Sequence, residues 1–361
     1  MMAEKISAIN IVIAKIWGGG EQYVYDTTNA LNQYGNDVYV AVDKNNEMLQ
    51  KKYSEITKVV KCNLYDISGL LSLYKLKEYI LANKINFIIC HSGHAMLLCM
   101  LLKFMTGKKL IMVKHNVIPA KKDFYHCWQR KHTDAFICVS KLVYDMQTRE
   151  LNENNKSKYH LIYNGIDTKK FACANVIEKH RSNFIIGYAG RIAKDKGIDI
   201  LLIAFAVLVK KYPDIKLKIA GIDEKGYLAE IQNMITKYNL QKSVEYLGYV
   251  DDMVYFYHSL DVFVLPSVVR EAFGLVICEA MYCGVPVITT NSGAQEEIID
   301  NNINGYIVDS GNVEQLTNII EQIYLNPIET KQIALHGKQK VINKFTLEQY
   351  YRSINNLFNN L

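Results

Sequence analysis

Apolar and polar positions alternate between two rhythms along the chain. Short apolar runs read as buried strands, and stretches with apolar residues three and four apart read as helices. Ser7 to Ala14 is the first run. An amphipathic stretch follows with Tyr23, Thr27, Ala30, Leu31 and Tyr34 on one face, and Gly35-Asn36 stops it. Asp37 to Val42 is the next strand. The same alternation places helices at Leu70–Leu81 and Ala95–Phe104, with strands at Phe87–Cys90, Leu110–Val113, Asp134–Val139 and Tyr159–Tyr163. Strands alternating with helices predict parallel sheets built from βαβ units.

Phe171 to Ser182 is charged and has no clear period, so it reads as a linker. A second alternating series follows: a strand at Asn183–Ala189, a helix at Ile198–Lys211, and strands at Leu217–Ala220, from Val244, and at Asp261–Leu265. An apolar helix begins near Leu275, with Val285–Thr289 and Asn304–Val308 after it. Thr346 and Gln349 have the spacing of a capping box. Tyr350, Ile354, Leu357, Phe358 and Leu361 then make an apolar stripe on a final helix. A chain of 361 residues suits two domains of about 150–200 residues each.

The chemistry concentrates at Arg270–Met281, which follows the Asp261–Leu265 strand and the Pro266-Ser267 cap. Glu271 and Glu279 lie eight positions apart, with Phe273-Gly274 between them and the helix starting at Leu275. Unpaired amides and the helix dipole favour a phosphate at such a start, and Gly274 lets the backbone approach closely. A carboxylate can accept both hydroxyls of a vicinal diol. One acid beside the phosphate and another a turn along suggest a phosphate flanked by sugars, as in a sugar nucleotide. Arg191 and Lys196 sit beyond the carboxyl end of the Asn183–Ala189 strand, on the sheet edge where open α/β sheets bind ligands, and both suit phosphate oxygens. His115 ends the Leu110–Val113 strand on the corresponding edge of the first half. Gly18-Gly19-Gly20 occupies a strand-to-helix turn without completing a dinucleotide fingerprint.

Composition narrows the picture less. Half the residues are hydrophobic, 22% are charged and the net charge is +6, which does not by itself imply nucleic acid. The charge is unevenly spread. From Leu101 to His132 there are Lys103, Lys108, Lys109, Lys114, Lys121, Lys122, Arg130 and Lys131 against one acid, Asp123. With Phe124, Tyr125 and Trp128, this stretch suits an anionic membrane surface or acceptor. The eight cysteines show no C-x-x-C spacing, which argues against zinc and a disulfide framework and fits a reducing cytoplasm. No signal peptide is visible, and no apolar run is long enough to span a bilayer. The expected location is cytoplasmic, with peripheral contact at the inner face of the plasma membrane through 101–132 as a further expectation.

The Glu271–Glu279 stretch resembles the E-x7-E motif of retaining glycosyltransferases of family 4, including its E-x-F-G start. Gly190-Arg191 through Lys196-Gly197 is similar to that family's G-R-x-x-x-x-K-G signature. Lys114-His115-Asn116 stands where the family has a T-x-H segment, and Val139-Ser140-Lys141 with Asn164-Gly165-Ile166-Asp167 also match. Gln295-Glu296-Glu297 departs from the usual x-Pro-Glu.

The resemblance implies the GT-B fold: two Rossmann-like domains facing across a cleft, at 1–172 and 183–345, with a final helix, 346–361, crossing back to the first. It implies transfer of a sugar, with retention, from a nucleotide-diphosphate donor to a glycan or lipid-linked acceptor, as in bacterial surface polysaccharide synthesis. Glu271, Arg191, Lys196 and His115 would be catalytic. Gly19, Gly20, Val250, Phe273, Gly274, Leu275, Val276 and Glu279 would bind the donor, a UDP-sugar in preference to a GDP-sugar. Neither metal nor cofactor nor nucleic acid is expected. A sugar-nucleotide epimerase and a non-catalytic sugar-nucleotide-binding subunit are the alternatives.

Overall fold

The computed structural model describes residues 5–14, 17–63, 69–172, 183–223 and 226–361. Two compact units emerge. The first runs up to Gly165 and includes Leu347–Leu361, and the second is Ile166–Thr346.

In the first unit the strands are β1 (Ser7–Val12), β2 (Asp37–Asp43), β3 (Val59–Cys62), β4 (Phe87–Cys90), β5 (Lys109–Lys114), β6 (Ala135–Cys138) and β7 (Tyr159–Leu161). Its helices are α1 (Gly19–Gln33), α2 (Glu47–Ser54), α3 (Gly69–Ala82), α4 (Met96–Thr106), α5 (Phe124–His132), α6 (Lys141–Thr148) and α7 (Glu153–Lys156). The strands pair in parallel in the order β3-β2-β1-β4-β5-β6-β7. Every residue of β1 is buried, as a strand covered by helices on both faces requires. The order reverses between β1 and β4, so the carboxyl ends of β1, β4 and β5 flank the place where such sheets take ligands.

The second unit opens with α8 (Thr168–Ala172) and continues β8 (Phe184–Ala189), α9 (Ile198–Lys211), β9 (Ile215–Ala220), α10 (Leu228–Lys237), β10 (Val244–Gly248), α11 (Met253–His258) and β11 (Val262–Leu265). Then come α12 (Leu275–Tyr282), β12 (Val287–Thr290), α13 (Gln295–Ile298), β13 (Tyr306–Val308), α14 (Val313–Leu325) and α15 (Pro327–Lys344). Its sheet is also parallel, ordered β10-β9-β8-β11-β12-β13 and reversing between β8 and β11. Arg191 and Ser267 follow those two strands.

The final helix, α16 (Leu347–Asn359), belongs to the first unit. Its buried stripe is Leu347, Tyr350, Ile354, Leu357 and Phe358. Phe358 stacks on Phe87 at 4.3 Å and Tyr351 on Tyr34 at 3.9 Å.

The division after Gly165 falls earlier than the expected boundary at 172. The Ile166 amide donates to the Phe345 carbonyl at 2.9 Å, and Phe171 is buried 6.2 Å from the Tyr257 ring, so this stretch packs with the second unit. Residues 173–182 of the expected linker lie outside the described residues. Gly19 and Gly20 also differ from expectation. They are not a loop but the first turn of α1, with Gly18 as its extended cap, and a Cβ on either would meet only open space.

Candidate functional site

The site of the second unit is assembled from three loops at the carboxyl ends of β8, β11 and β12. After β8 the chain passes Arg191 and makes a single 3₁₀ turn, Lys194–Lys196, that ends at Gly197. Gly197 has φ +68°, and a Cβ there would fall 2.0 Å from the Pro266 carbonyl oxygen. Only glycine allows this turn to lie against the loop after β11. The Val268 amide donates to the Asp195 carbonyl at 3.0 Å and fastens the two loops together. On the other side, Gly293 sits so close to Glu271 that a Cβ would be 2.4 Å from its backbone nitrogen and oxygen. The Ala294 amide donates to the Glu271 carbonyl at 2.9 Å. The loop from Pro266 to Glu271 is thus held from both sides, at Pro266 and Val268 by the turn after β8 and at Glu271 by the loop after β12.

That clamp aims the Glu271 side chain at Lys196. Lys196 Nζ lies 2.5 Å from Glu271 Oε1, and the Ser267 hydroxyl donates to the same oxygen at 2.5 Å. Both charged side chains are about 15% exposed (14% and 15%), so the pair is largely removed from water. Three residues on, Gly274 caps α12 with φ +114°, a left-handed conformation that turns the chain from loop to helix. Leu275 and Val276 supply the first amides of the helix and are half-buried. The Arg191 guanidinium meets Asp195 at 3.2 Å, and the buried Tyr188 hydroxyl donates to the Arg191 carbonyl at 2.8 Å.

Glu279 lies one turn along α12. Its Oε2 accepts the hydroxyl of the fully buried Tyr257 at 2.7 Å. Burial raises the Glu279 carboxyl above its ordinary range, and the Tyr257 hydrogen bond works against that rise. The aromatic ring of Phe273 is buried edge-on to Phe345 at 5.5 Å, so its side chain is part of the core. Val250 lies in the loop between β10 and α11, half-buried.

In the first unit, His115 follows β5. Its Nε2 lies 3.1 Å from His91 Nδ1, and His91 Nε2 lies 2.7 Å from Asn10 Oδ1. Asn10 Nδ2 in turn donates to the Thr28 hydroxyl at 3.0 Å. Tyr23 stands edge-on to His115 at 4.9 Å, and its hydroxyl meets that of Tyr350 at 2.7 Å. Desolvation pushes the His115 imidazole down to about 4 and holds His91 well below its ordinary range.

The structure therefore joins Lys196 to Glu271 directly and sets both just ahead of Gly274, Leu275 and Val276. Arg191 and Glu279 are held by partners of their own. Tyr257 and Asn10 are members of these networks that the sequence reading did not single out, and they are joined by His91 after β4 and by Ser267 of the strand cap. A buried Asn in an otherwise apolar strand was the one available signal. Among the described residues, no group of three or more His, Cys, Asp or Glu side chains is arranged to hold a metal ion.

Residues 174–340 match the family model described as glycosyl transferases group 1, and residues 17–170 match the glycosyltransferase family 4 model. The chain belongs to the group 1 glycosyltransferases. Among its relatives is the capsular polysaccharide biosynthesis glycosyltransferase CapM of Staphylococcus aureus, 34% identical over 54% of this chain and 53% of CapM. The chain thus spans about half the length of that relative. An uncharacterized glycosyltransferase of Haemophilus influenzae is 25% identical over 86% of this chain and 88% of its own. Among solved structures, HepE of Anabaena in complex with UDP and glucose superposes with a TM-score of 0.85 at 20% identity, covering 99% of this chain and 100% of HepE. That likeness shows the GT-B fold.

Proposed function

We propose that this group 1 glycosyltransferase moves a sugar, with retention, from a nucleotide-diphosphate donor to a glycan or lipid-linked acceptor in bacterial surface polysaccharide synthesis. The observation that carries the proposal is the Lys196–Glu271 pair, held largely out of water between the 3₁₀ turn after β8 and the loop that leads into the Gly274-capped α12. A cation and a helix start in one loop cluster suit a diphosphate. In the proposed reaction the glycosidic bond to the diphosphate breaks through an oxocarbenium-like state, and negative charge grows on the leaving phosphate. Lys196, Arg191 and the amides of Gly274, Leu275 and Val276 stabilise that charge. The leaving phosphate oxygen takes the acceptor's proton as the new bond forms on the same face. Glu271 holds hydroxyls of the donor sugar. Glu279 uses the carboxylate oxygen not bonded to Tyr257 for the ribose. The base packs near Val250, and Gly19 and Gly20 of the first unit take a donor contact through their open backbone. His115 meets a hydroxyl of a substrate sugar.

UDP-sugars are the favoured donors. HepE, solved in complex with UDP and glucose, and CapM, a capsular polysaccharide biosynthesis glycosyltransferase, support a UDP donor and a polysaccharide product. The proposed location is the cytoplasmic face of the membrane, contacted through 101–132. In support, Leu97, Phe104 and Met105 of α4 and Phe124 of α5 are exposed, Phe124 at 87%. Phe104 and Trp128 bring the two helices together at 5.9 Å. Among the described residues, no helix is long and apolar enough to cross a membrane.

The test is a thermal-shift panel of UDP- and GDP-sugars followed by product analysis with and without acceptor. A donor at 100 times its dissociation constant adds about 2.7 kcal/mol of stability. The expected result is a shift with a UDP-sugar and an α-linked product from an α-linked donor. An epimerised donor formed without acceptor, or no donor consumption at all, would replace the proposal by the epimerase or the binding-subunit reading.

A further inference from the structure

The polar chain of the first unit, buried at Thr28 and Asn10 and half-buried at His91 and His115, has a direction. Asn10 is 3% exposed and lies in β1, where its neighbours Ile9 and Ile11 are fully buried. Its amide nitrogen is spent on the Thr28 hydroxyl, so its oxygen is left as an acceptor. His91 Nε2, 2.7 Å away, must then carry a proton. In a neutral imidazole one nitrogen donates and the other accepts, so His91 Nδ1 is the acceptor. His115 Nε2, 3.1 Å from it, must be the donor. The same rule leaves His115 Nδ1 bare. No described residue bonds it.

Two observations make this arrangement rigid. Tyr23 presses edge-on against both rings, at 4.9 Å from His115 and 5.9 Å from His91, and Tyr350 of α16 holds the Tyr23 hydroxyl. Burial keeps both imidazoles neutral at pH 7, so the donor–acceptor rule applies to each.

We propose that His91, backed by Asn10 and Thr28, is a positioning residue that keeps the His115 proton on Nε2, so that His115 offers an unprotonated Nδ1 to a hydroxyl of the bound sugar. The proton position stands on the first unit alone, while the hydroxyl partner rests on the function proposed above. A bare, neutral nitrogen accepts from an alcohol. It has no charge and no proton to give to a phosphate or carboxylate. His115 is therefore assigned to sugar recognition and not to acid catalysis or diphosphate binding.

The experiment uses the full-length chain labelled with ¹⁵N and long-range ¹H–¹⁵N spectra at pH 7 without ligand. His115 is expected as the Nε2–H tautomer. Finding its proton on Nδ1 would overturn the proposal without any variant. Two substitutions extend the test. In His91→Phe the acceptor is gone, so His115 should show mixed or exchanging tautomers, and kcat/KM should fall about tenfold, the scale of one neutral hydrogen bond. In His91→Gln the amide oxygen can replace Nδ1 and the amide nitrogen Nε2, so the Nε2–H signature and most of kcat/KM should return. An unchanged His115 spectrum in a folded His91→Phe protein would overturn the positioning role. Wild-type spectra as expected, with no transfer from any sugar nucleotide, would instead overturn the proposed function and the hydroxyl partner together.

Discussion

Lys196 and Glu271 form a charged pair whose removal has two separable consequences. Truncating one partner leaves the other charge largely buried and unpaired, which costs about 3–5 kcal/mol in buried pairs. Removing a preorganised cation from a site where negative charge develops costs about 100- to 1,000-fold in kcat. Lys196→Met should therefore lower both the melting temperature and kcat. Adding Glu271→Gln keeps an acceptor for the Ser267 hydroxyl and removes the stranded charge, so the double variant should recover most of the melting temperature and none of the activity. Recovery of both would make the pair structural. His115 supports a second prediction. Burial lowers it from 6.5 to about 4, so the unfolded chain binds its proton first as pH falls. The stability it confers is complete above pH 6.5 and is lost progressively toward pH 4, with His91 responding in the same sense. Melting temperatures across that window should fall more steeply for the wild type than for His115→Gln. Parallel slopes would show that His115 titrates normally in the folded chain.

At the scale of elements, the site depends on loops that touch only because particular glycines stand at the contacts. Gly197→Ala puts a Cβ into a left-handed conformation and against the Pro266 carbonyl at 2.0 Å. The 3₁₀ turn carrying Lys196 must then move away from the loop carrying Glu271. The expected cost is about 2 kcal/mol or more, measured by denaturant titration, with donor-induced thermal shift lost at the same time. A stable variant that still responds to donor would mean that Lys196 reaches the ligand independently of this contact. The elements themselves were legible in the sequence because their apolar periods are strong. β8, β11 and α12 fall where the pattern put them, and Gly274 and Gly197 were visible as breaks at strand-to-helix turns. Side-chain partners were not legible. Tyr257 holds Glu279 from 22 positions away, and Asn10 reaches His91 across 81. Neither spacing has a period, because two strands laid side by side by the fold, not by local sequence, bring Asn10 to His91. The glycine run at 18–20 was misread for a related reason. Three glycines signal a loop, yet Gly19 and Gly20 adopt ordinary helical backbone as the first turn of α1.

At the scale of the whole molecule, the first strand, β1, and the last helix, α16, belong to the same unit. The capping-box pattern and the stripe from Tyr350 to Leu361 announced a last helix, and α16 supplies the first unit with a wall it cannot take from its own continuous segment. Five side chains of α16 are buried, among them Phe358 on Phe87 and Tyr350 on Tyr23. At about 1.5–3 kcal/mol for each buried large side chain, their loss is comparable to the entire 5–15 kcal/mol that holds an ordinary domain folded. Within the second unit, Phe345 contacts Ile166 and Phe273, and Thr346 bridges to Ile166, all before Leu347. Ending the chain at Thr346 should therefore unfold the first unit and spare the second. Hydrogen exchange read by mass spectrometry would show it: protection lost across β1, β4 and β5, and retained in β8, β11 and α12. The same truncation frees Tyr23 from Tyr350, so the His91–His115 pair loses its wall even in molecules that stay compact. Protection falling equally in both sheets would mean that the two units fold as one cooperative body. Protection unchanged in the first sheet would mean that α16 covers a core already stable without it.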